Sequence, residues 1–334
     1  MNTEELYEQV DEILESYNII YTADDIEELT LPDFFQGIHD IFVSRITAPF
    51  ALLGIITVIV IFTALAKNVT SVMPQKSDIA DIAGTLTAIA VLISPVLTLY
   101  SEICDTIIRC GEFIEIFVPV FSGVCAVSGN ISALGTYNLI TLGMSQIVVW
   151  ISSEFLMPVL SSITALSVTG SIYCSKSADS IAKLAGGFIK WTLTACTGIL
   201  VGFMTLKGSI GASADTFATK TAKFIISGCV PIIGGAVSDA YSTVKGSLGI
   251  LKGTAGTAGI VTLLFIFAPP VIEIVAFRAV IKIGAFLSDM FSSDTVGKLL
   301  KGFESGLSTA LSIIICFSVI FIISTAILMK ANTV

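Results

Sequence analysis

The chain has 334 residues, of which 54% are hydrophobic and only 13% are charged, and its mean hydropathy is +0.93. A soluble domain carries about 25% charged residues, so this sequence lacks the polar surface to cover a water-soluble globule. The composition excludes a soluble enzyme, a nucleic-acid binder and a disordered scaffold. The net charge of −9 is concentrated at one end, because residues 1–46 hold twelve acids and one base.

Residues 1–46 predict an acidic, helical head in water. Leu6, Val10 and Ile13 recur at helical spacing with acidic residues on the opposite face. We expect Phe34–Val43 to form an interfacial helix that ends at Arg45. Such a head repels anionic lipid headgroups and nucleic acid, and the distribution of Lys and Arg favours an extracytoplasmic position for it.

Apolar stretches dominate the rest of the sequence, and a membrane-spanning helix needs about 20 of these residues. The fold expected is an all-α polytopic membrane protein with about eight full spans and two shorter elements. The short elements, 113–127 and 223–237, contain Pro and Gly, which is typical of re-entrant or discontinuous helices. The expected spans are 47–66, 79–100, 138–153, 155–174, 187–206, 255–268, 271–287 and 307–328.

The sequence also repeats internally. The segment VPVFSG at 118–123 matches VPIIGG at 230–235, and Pro158 and Pro270 each follow 39 residues after the proline of one segment. A second pair of similar blocks begins at Asp179 and Asp294. We therefore predict a duplicated unit in which Pro158 and Pro270 are helix hinges between paired spans.

This duplication divides the membrane body into three parts. Two leading spans occupy 47–104, repeat 1 occupies 105–216 and repeat 2 occupies 217–330. The repeats are inverted if the short elements re-enter the membrane and parallel if they cross it. We favour the inverted arrangement.

Few residues are suited to catalysis or to metal binding. The sequence has no GxxxxGK[ST] phosphate loop. Its only histidine, His39, lies in the head, so the membrane body holds no His-based triad or metal site. We therefore expect no enzymatic activity, no cofactor and no metal. The seven cysteines are predicted to be small packing residues, with Cys104 and Cys110 in a loop where they are able to pair.

Charged residues within an apolar span mark functional sites by default. Glu273, Arg278 and Lys282 lie in the predicted span 271–287. Arg278 and Lys282 are four residues apart and share a helix face, whereas Glu273 points elsewhere and is predicted to pair with another helix. Two interpretations remain: an ion pair inside the bundle or at a tilted interfacial helix, and the polar wall of a conduit or partner surface.

The densest cluster of small residues lies in 227–259. Two interpretations remain for it: backbone groups freed from helical hydrogen bonds line a polar cavity, or small residues allow two helices to pack closely. The run from Lys223-Phe224 to Ser238-Asp239, followed by Leu251-Lys252, resembles the stage III sporulation protein AE family. The broken-helix or cavity positions predicted in this region and its repeat are Pro119, Gly123, Pro231, Gly234, Gly235, Ser238, Asp239 and Lys252.

The resemblance implies a multi-pass protein of the mother-cell membrane around the forespore. It implies a subunit of a channel or feeding apparatus needed for endospore development. Its partners would be other membrane subunits, ring-forming subunits and a separate ATPase, in a lipid bilayer and without nucleic acid. Two alternatives to an export-platform or channel component remain. The first is a stand-alone secondary transporter with a substrate site at the repeat interface, and the second is a non-conducting assembly scaffold.

Overall fold

A computed structural model of the chain describes residue 11 and residues 31–70, 77–126, 141–143, 145–173, 176–208 and 254–331. These ranges are helical, apart from a short turn at residues 291–293. The elements are α1 (Leu31–Thr70), α2 (Ser77–Ala126), a π-helical segment (Ile151–Leu156), α3 (Met157–Tyr173), α4 (Lys176–Gly208), α5 (Thr254–Met290) and α6 (Asp294–Ala331).

Within the described ranges, five helical stretches are long and apolar enough to cross a membrane. The described part of the chain is therefore all-helical, and its long apolar helices are those of a membrane protein. The predicted total of eight spans is not confirmed. The duplicated repeat stays a prediction, because residues 209–253, which hold its second short element, lie outside the described part. The five stretches are Pro32–Val69, Ile79–Pro119, Thr141–Ser171, Gly259–Met290 and Asp294–Ala326.

The predicted division into short spans is wrong in three places. Spans 255–268 and 271–287 form the single helix α5, which continues through Pro269 and Pro270. Spans 138–153 and 155–174 lie in one helical stretch around Pro158. A proline removes one backbone hydrogen bond, but a chain that leaves the helix in apolar surroundings exposes many unpaired backbone groups. Pro158 and Pro270 are therefore helix-interior residues rather than boundaries between spans.

The third error concerns the short element 113–127. Residues 113–126 are the final turns of α2, which continues through Pro95 and Pro119 without a break. The equivalent element 223–237 lies outside the described residues. The re-entrant interpretation is thus wrong for the first copy and stays a prediction for the second.

The expected interfacial helix and loop cysteines are also corrected. Residues 34–43 are part of α1, and this helix runs on through Arg45 and Pro49 to Thr70. Cys104 and Cys110 are free cysteines on α2. Six residues apart on one rigid helix, they point in different directions and do not pair.

Contacts between the helices define their directions. α1 and α5 are parallel, because Phe34 contacts Phe265 near one end and Lys67 bonds to the Ser292 carbonyl near the other. α2 runs antiparallel to α1, and α6 runs antiparallel to α5. The core is centred on α5 and α6, whose fully buried side chains include Phe265, Phe303, Phe317 and Phe321.

A tight turn joins α5 to α6. Ser292 has a left-handed φ of 58°, and the Ser293 amide donates to the Ser288 carbonyl at 3.0 Å. This is the Schellman pattern that closes a helix and satisfies its last carbonyls. The turn places the start of α6 directly against the end of α5.

Candidate functional site

Three helices meet at a cluster of charged side chains. The Nη1 atom of Arg45 on α1 lies 2.9 Å from Oε1 of Glu102 on α2 and 2.9 Å from Oε2 of Glu273 on α5. All three side chains are mostly buried, with exposed fractions of 28%, 20% and 16%. One guanidinium thus holds two carboxylates, and the three residues, here called the Arg45 cluster, carry a net charge of −1. The prediction that Glu273 pairs with another helix is confirmed.

A second polar cluster joins the same three helices further along α1. Lys67 lies 3.0 Å from Oδ2 of Asp81 on α2, and its Nζ donates to the Ser292 carbonyl after α5 at 3.0 Å. Lys67, Asp81 and Ser292 are here called the Lys67 cluster.

The two clusters bound a segment with no charge on α1 or α2. Arg45 and Lys67 are 22 residues apart, and Asp81 and Glu102 are 21 apart. At about 1.5 Å per residue both separations are roughly 32 Å, close to the ~30 Å thickness of a bilayer's hydrocarbon core. Residues 46–66 and 82–101 contain no charged side chain, and they are here called the apolar belt.

The outward surface of the belt on α1 is suited to lipid. Its exposed positions are apolar or glycine apart from Thr47. The most exposed large side chains there are Phe62 at 72% and Val58 at 67%. Burying such side chains in hydrocarbon removes apolar surface from water, which is the main favourable term for membrane insertion.

Helices α5 and α6 also reach the depth of the apolar belt. A methyl group added at Gly284 of α5 would lie 2.6 Å from Cγ2 of Ile56 and 3.5 Å from Cδ1 of Leu300. Ile56 is midway along α1 between Arg45 and Lys67. Gly284 and Leu300 therefore mark the middle of the belt on α5 and α6.

The start of α6 places charged residues between the Lys67 cluster and this midpoint. The four exposed positions in the first twelve residues of α6 are all polar and follow helical spacing. They form one face, here called the charged stripe: Asp294, Lys298, Lys301 and Ser305.

The predicted charges on α5 divide between the bundle and this surface. Nη2 of Arg278 lies 2.7 Å from Oε1 of Glu304 on α6, with both side chains mostly buried. This is the ion pair inside the bundle that the first interpretation expected. Lys282 is exposed one turn further on. Lys301 of the stripe bonds to Asp289 of α5 at 2.8 Å, where both side chains are largely exposed.

The surroundings of Pro158 form a second candidate site. Met157 donates its backbone N–H to the Ser152 carbonyl, five residues back, which is the π-helical pattern. Pro158 has no N–H for the Glu154 carbonyl, so the wider turn accommodates the proline ring. A cavity of about 310 Å³ that is open to the surface lies beside it, lined by residues of α2, the π-helical segment and α3, including Tyr100, Ser153 and Ser161.

Buried polar contacts connect this region to α6. The Tyr100 and Thr164 hydroxyls are hydrogen-bonded at 2.9 Å, and a methyl group added at Gly306 would lie within 2.8 Å of both oxygens. Ser152 has a buried hydroxyl without a hydrogen-bond partner among the described residues. The lining side chains of the cavity include no charged group, so this pocket offers hydroxyl groups and no ion pair.

The remaining predicted positions do not converge on this site. Pro119 is exposed near the end of α2, and Gly123 lies in its last turns. The other positions of the predicted broken-helix motif lie outside the described residues: Pro231, Gly234, Gly235, Ser238, Asp239 and Lys252.

Sequence reasoning missed the partners of the predicted charges. Arg45 and Glu102 each stand directly beside an apolar stretch, so the edges of the belt were visible in the sequence. Glu304 also directly precedes such a stretch. Their pairing was not visible, since it depends on which helices are neighbours. The three potential metal-ligand types His, Cys and Asp/Glu form no group suited to a metal ion within the described residues.

Comparisons with known proteins agree with one another. A family model described as Stage III sporulation protein AE matches residues 16–332. The chain is also similar to the curated "Stage III sporulation protein AE" of Bacillus subtilis (strain 168). The two are 21% identical over 284 residues, which covers 84% of this chain and 71% of the relative. No solved structure matches.

Proposed function

Because this chain belongs to the stage III sporulation protein AE family, we propose that it is a membrane subunit of the apparatus that connects the mother cell to the forespore. It acts as an export-platform or channel component in the mother-cell membrane around the forespore. It works together with ring-forming subunits and a separate ATPase, and it has no catalytic activity of its own. The observation that carries this proposal is the family match over nearly the whole chain.

The charge pairing supports a subunit of an assembly over a stand-alone transporter. Glu273 and Arg278, the charges most suited to a coupled transport site, are engaged in ion pairs between helices. Such pairs fix the relative positions of α1, α2, α5 and α6. Membership of the family supports a role in sporulation but does not distinguish a channel component from a scaffold. A scaffold that conducts nothing is therefore the main alternative within the same sporulation role.

Gene deletion in the encoding bacterium tests the proposed function. We expect sporulation to arrest after the forespore forms, with loss of a late forespore reporter, and the wild-type gene to restore it. We also expect the tagged protein to co-purify with ring-forming membrane partners. Normal sporulation of the deletion strain would contradict the sporulation role. Solute uptake by liposomes containing the purified chain alone would favour the transporter.

A further inference from the structure

The cavity beside Pro158, here called the Pro158 pocket, lies at the level of the Arg45 cluster. Its lining on α2 extends from Leu97 to Cys104, which stand five residues before and two residues after Glu102. At about 1.5 Å per residue, this lining is within roughly 8 Å of the edge of the apolar belt. The pocket is therefore at the depth where lipid headgroups meet the hydrocarbon core.

Aromatic side chains mark the same depth. Phe155 stands between Ser153 and Met157, two residues that line the pocket. Its ring centroid is 5.9 Å from that of Phe188 on α4, and Phe188 stacks on Trp191 at 6.1 Å. All three aromatic side chains are exposed, Trp191 most of all at 67%. Tryptophan is enriched where a membrane meets water, so these rings support an interfacial position for the pocket.

The serine hydroxyls of the pocket are hydrogen-bond acceptors for a ligand. The Ser153 hydroxyl donates to the Val149 carbonyl, and the Ser161 hydroxyl donates to the Met157 carbonyl, each at 3.0 Å. A hydroxyl has one proton and two lone pairs. Both protons are used within the helical stretch itself, so the lone pairs suit a ligand that brings its own N–H or O–H groups.

The surroundings of the pocket are negatively charged. Asp105 and Glu154 are exposed, and both act electrostatically on the thiol of Cys104, which lines the pocket. Along α2, the next basic residue is Arg109, more than one helical turn beyond Cys104. The two carboxylates favour a ligand with a positive charge over one that is only negatively charged.

We propose that the Pro158 pocket binds the ammonium group of a zwitterionic phospholipid, phosphatidylethanolamine, in the leaflet at the Arg45 end of the belt. The ammonium supplies N–H donors to the serine oxygens and positive charge to the nearby carboxylates. The acyl chains extend along the apolar belt from Leu97, which is 46% exposed at the pocket. This lipid site is additional to the proposed function and does not depend on it.

Native mass spectrometry of the purified full chain tests the site. The protein is released from detergent micelles that contain phosphatidylethanolamine or phosphatidylglycerol at equal concentration, and the retained lipids are counted. Ser161→Phe fills the pocket. Ser162→Phe is the matched control, because Ser162 also bonds to a carbonyl of its own helix but is exposed outside the pocket. Soluble glycerophosphoethanolamine carries the same headgroup without acyl chains.

We expect the wild type to retain several times more phosphatidylethanolamine than phosphatidylglycerol. Ser161→Phe should lose this preference and Ser162→Phe should keep it. Equal retention of the two lipids by the wild type would overturn the ammonium site, and so would a preference that survives Ser161→Phe. Displacement of the lipid by an equal concentration of glycerophosphoethanolamine would overturn the lipid assignment, because the ligand is then a soluble amine.

Two controls separate the possible failures. The melting temperature in detergent shows whether Ser161→Phe is folded, and Leu97→Trp covers the pocket from an exposed position if it is not. A deletion strain that sporulates normally contradicts the proposed function and leaves the lipid site intact. An unchanged lipid preference in the folded pocket variant contradicts the lipid site alone.

Discussion

The antiparallel pair α1–α2 and the antiparallel pair α5–α6, here called the two hairpins, have their apolar segments at different positions along the long axis of the bundle. Between the Arg45 and Lys67 clusters, α1 and α2 carry no charge, while α5 and α6 carry Arg278, Lys301 and the rest of the charged stripe. On the side of the Arg45 cluster away from Lys67, α5 is the apolar helix, and α1 and α2 carry charges. The α5 side chains Phe265 and Phe267 are buried there among neighbouring helices.

The difference shows that hydrophobicity has two separate causes in this bundle. In α1 and α2 it covers an exposed surface at a depth bounded by ion clusters, so lipid explains it. In the first half of α5 it fills the protein core, as in any packed interior, and no lipid contact is required. Hydropathy alone reports both segments as candidate spans.

A charge placed on each of the two surfaces gives the largest expected contrast. Val58→Asp puts a carboxylate in the lipid-facing belt, at a cost of about 3 kcal/mol on insertion scales. Ser305→Asp puts the same group on the charged stripe. We expect the amount of protein in the membrane fraction, measured by quantitative immunoblotting, to fall severalfold for Val58→Asp and to stay near the wild-type level for Ser305→Asp. Equal losses would erase the distinction between the surfaces.

Removal of Arg45 tests whether the edge of the belt is held by its ion cluster. Arg45→Ala leaves Glu102 and Glu273 mostly buried without their cation, and it should destabilise the protein by about 2–3 kcal/mol. Lys301→Ala breaks an exposed pair and should cost under about 1 kcal/mol. Thermal unfolding in detergent measures both, and an Arg45→Ala change no larger than the Lys301→Ala change would argue against a structural role for the cluster.

The close approach of the two hairpins depends on Gly284. A side chain there meets Ile56, whereas nothing lies within 4 Å of a methyl group added at Gly54. We expect Gly284→Leu to cost about 1–3 kcal/mol through overpacking and Gly54→Leu to be nearly neutral. The melting temperatures of the two variants in detergent provide the comparison, and similar values would mean that the hairpins do not pack as described.

The smallest effect concerns the hydroxyl pair beside the cavity. Tyr100→Phe removes the partner of Thr164 and should cost about 1 kcal/mol. Thr98→Val removes an exposed hydroxyl that bonds to the Ser94 carbonyl on its own helix and should change less. Denaturant unfolding resolves this difference, and a Tyr100→Phe variant of wild-type stability would show that the pair is replaceable.

Composition and charge were sufficient to predict a helical membrane protein with an acidic N-terminal segment. The predicted pairing of Glu273 with another helix followed from the high cost of an isolated charge among apolar residues, and Arg45 is its partner. The boundaries of the helices were not predictable. Pro269 and Pro270 look like a break in the sequence, but both are buried and α5 continues through them.

The sequence also did not predict that the apolar segments of the two hairpins are offset along the bundle. Runs 255–268 and 47–66 have similar hydropathy, and only the contacts of Phe265 and Ile56 reveal that they lie at different heights. The broken-helix or cavity positions predicted from the small-residue region, from Pro231 to Lys252, lie outside the described residues. The charged stripe instead arises from Lys298, Lys301 and Ser305, whose helical spacing was visible but whose depth was not.

The depth of α1 in a bilayer tests the central claim most directly. Spin labels attached to cysteines at Phe35, Val58 and Val69, three exposed positions of α1, report their depth through relative accessibility to oxygen and to a nickel chelate in nanodiscs. If the bilayer lies between the Arg45 and Lys67 clusters, oxygen accessibility is greatest at Val58, and the nickel chelate reaches both Phe35 and Val69. Maximal oxygen accessibility at Phe35, with nickel access at Val58, would contradict it.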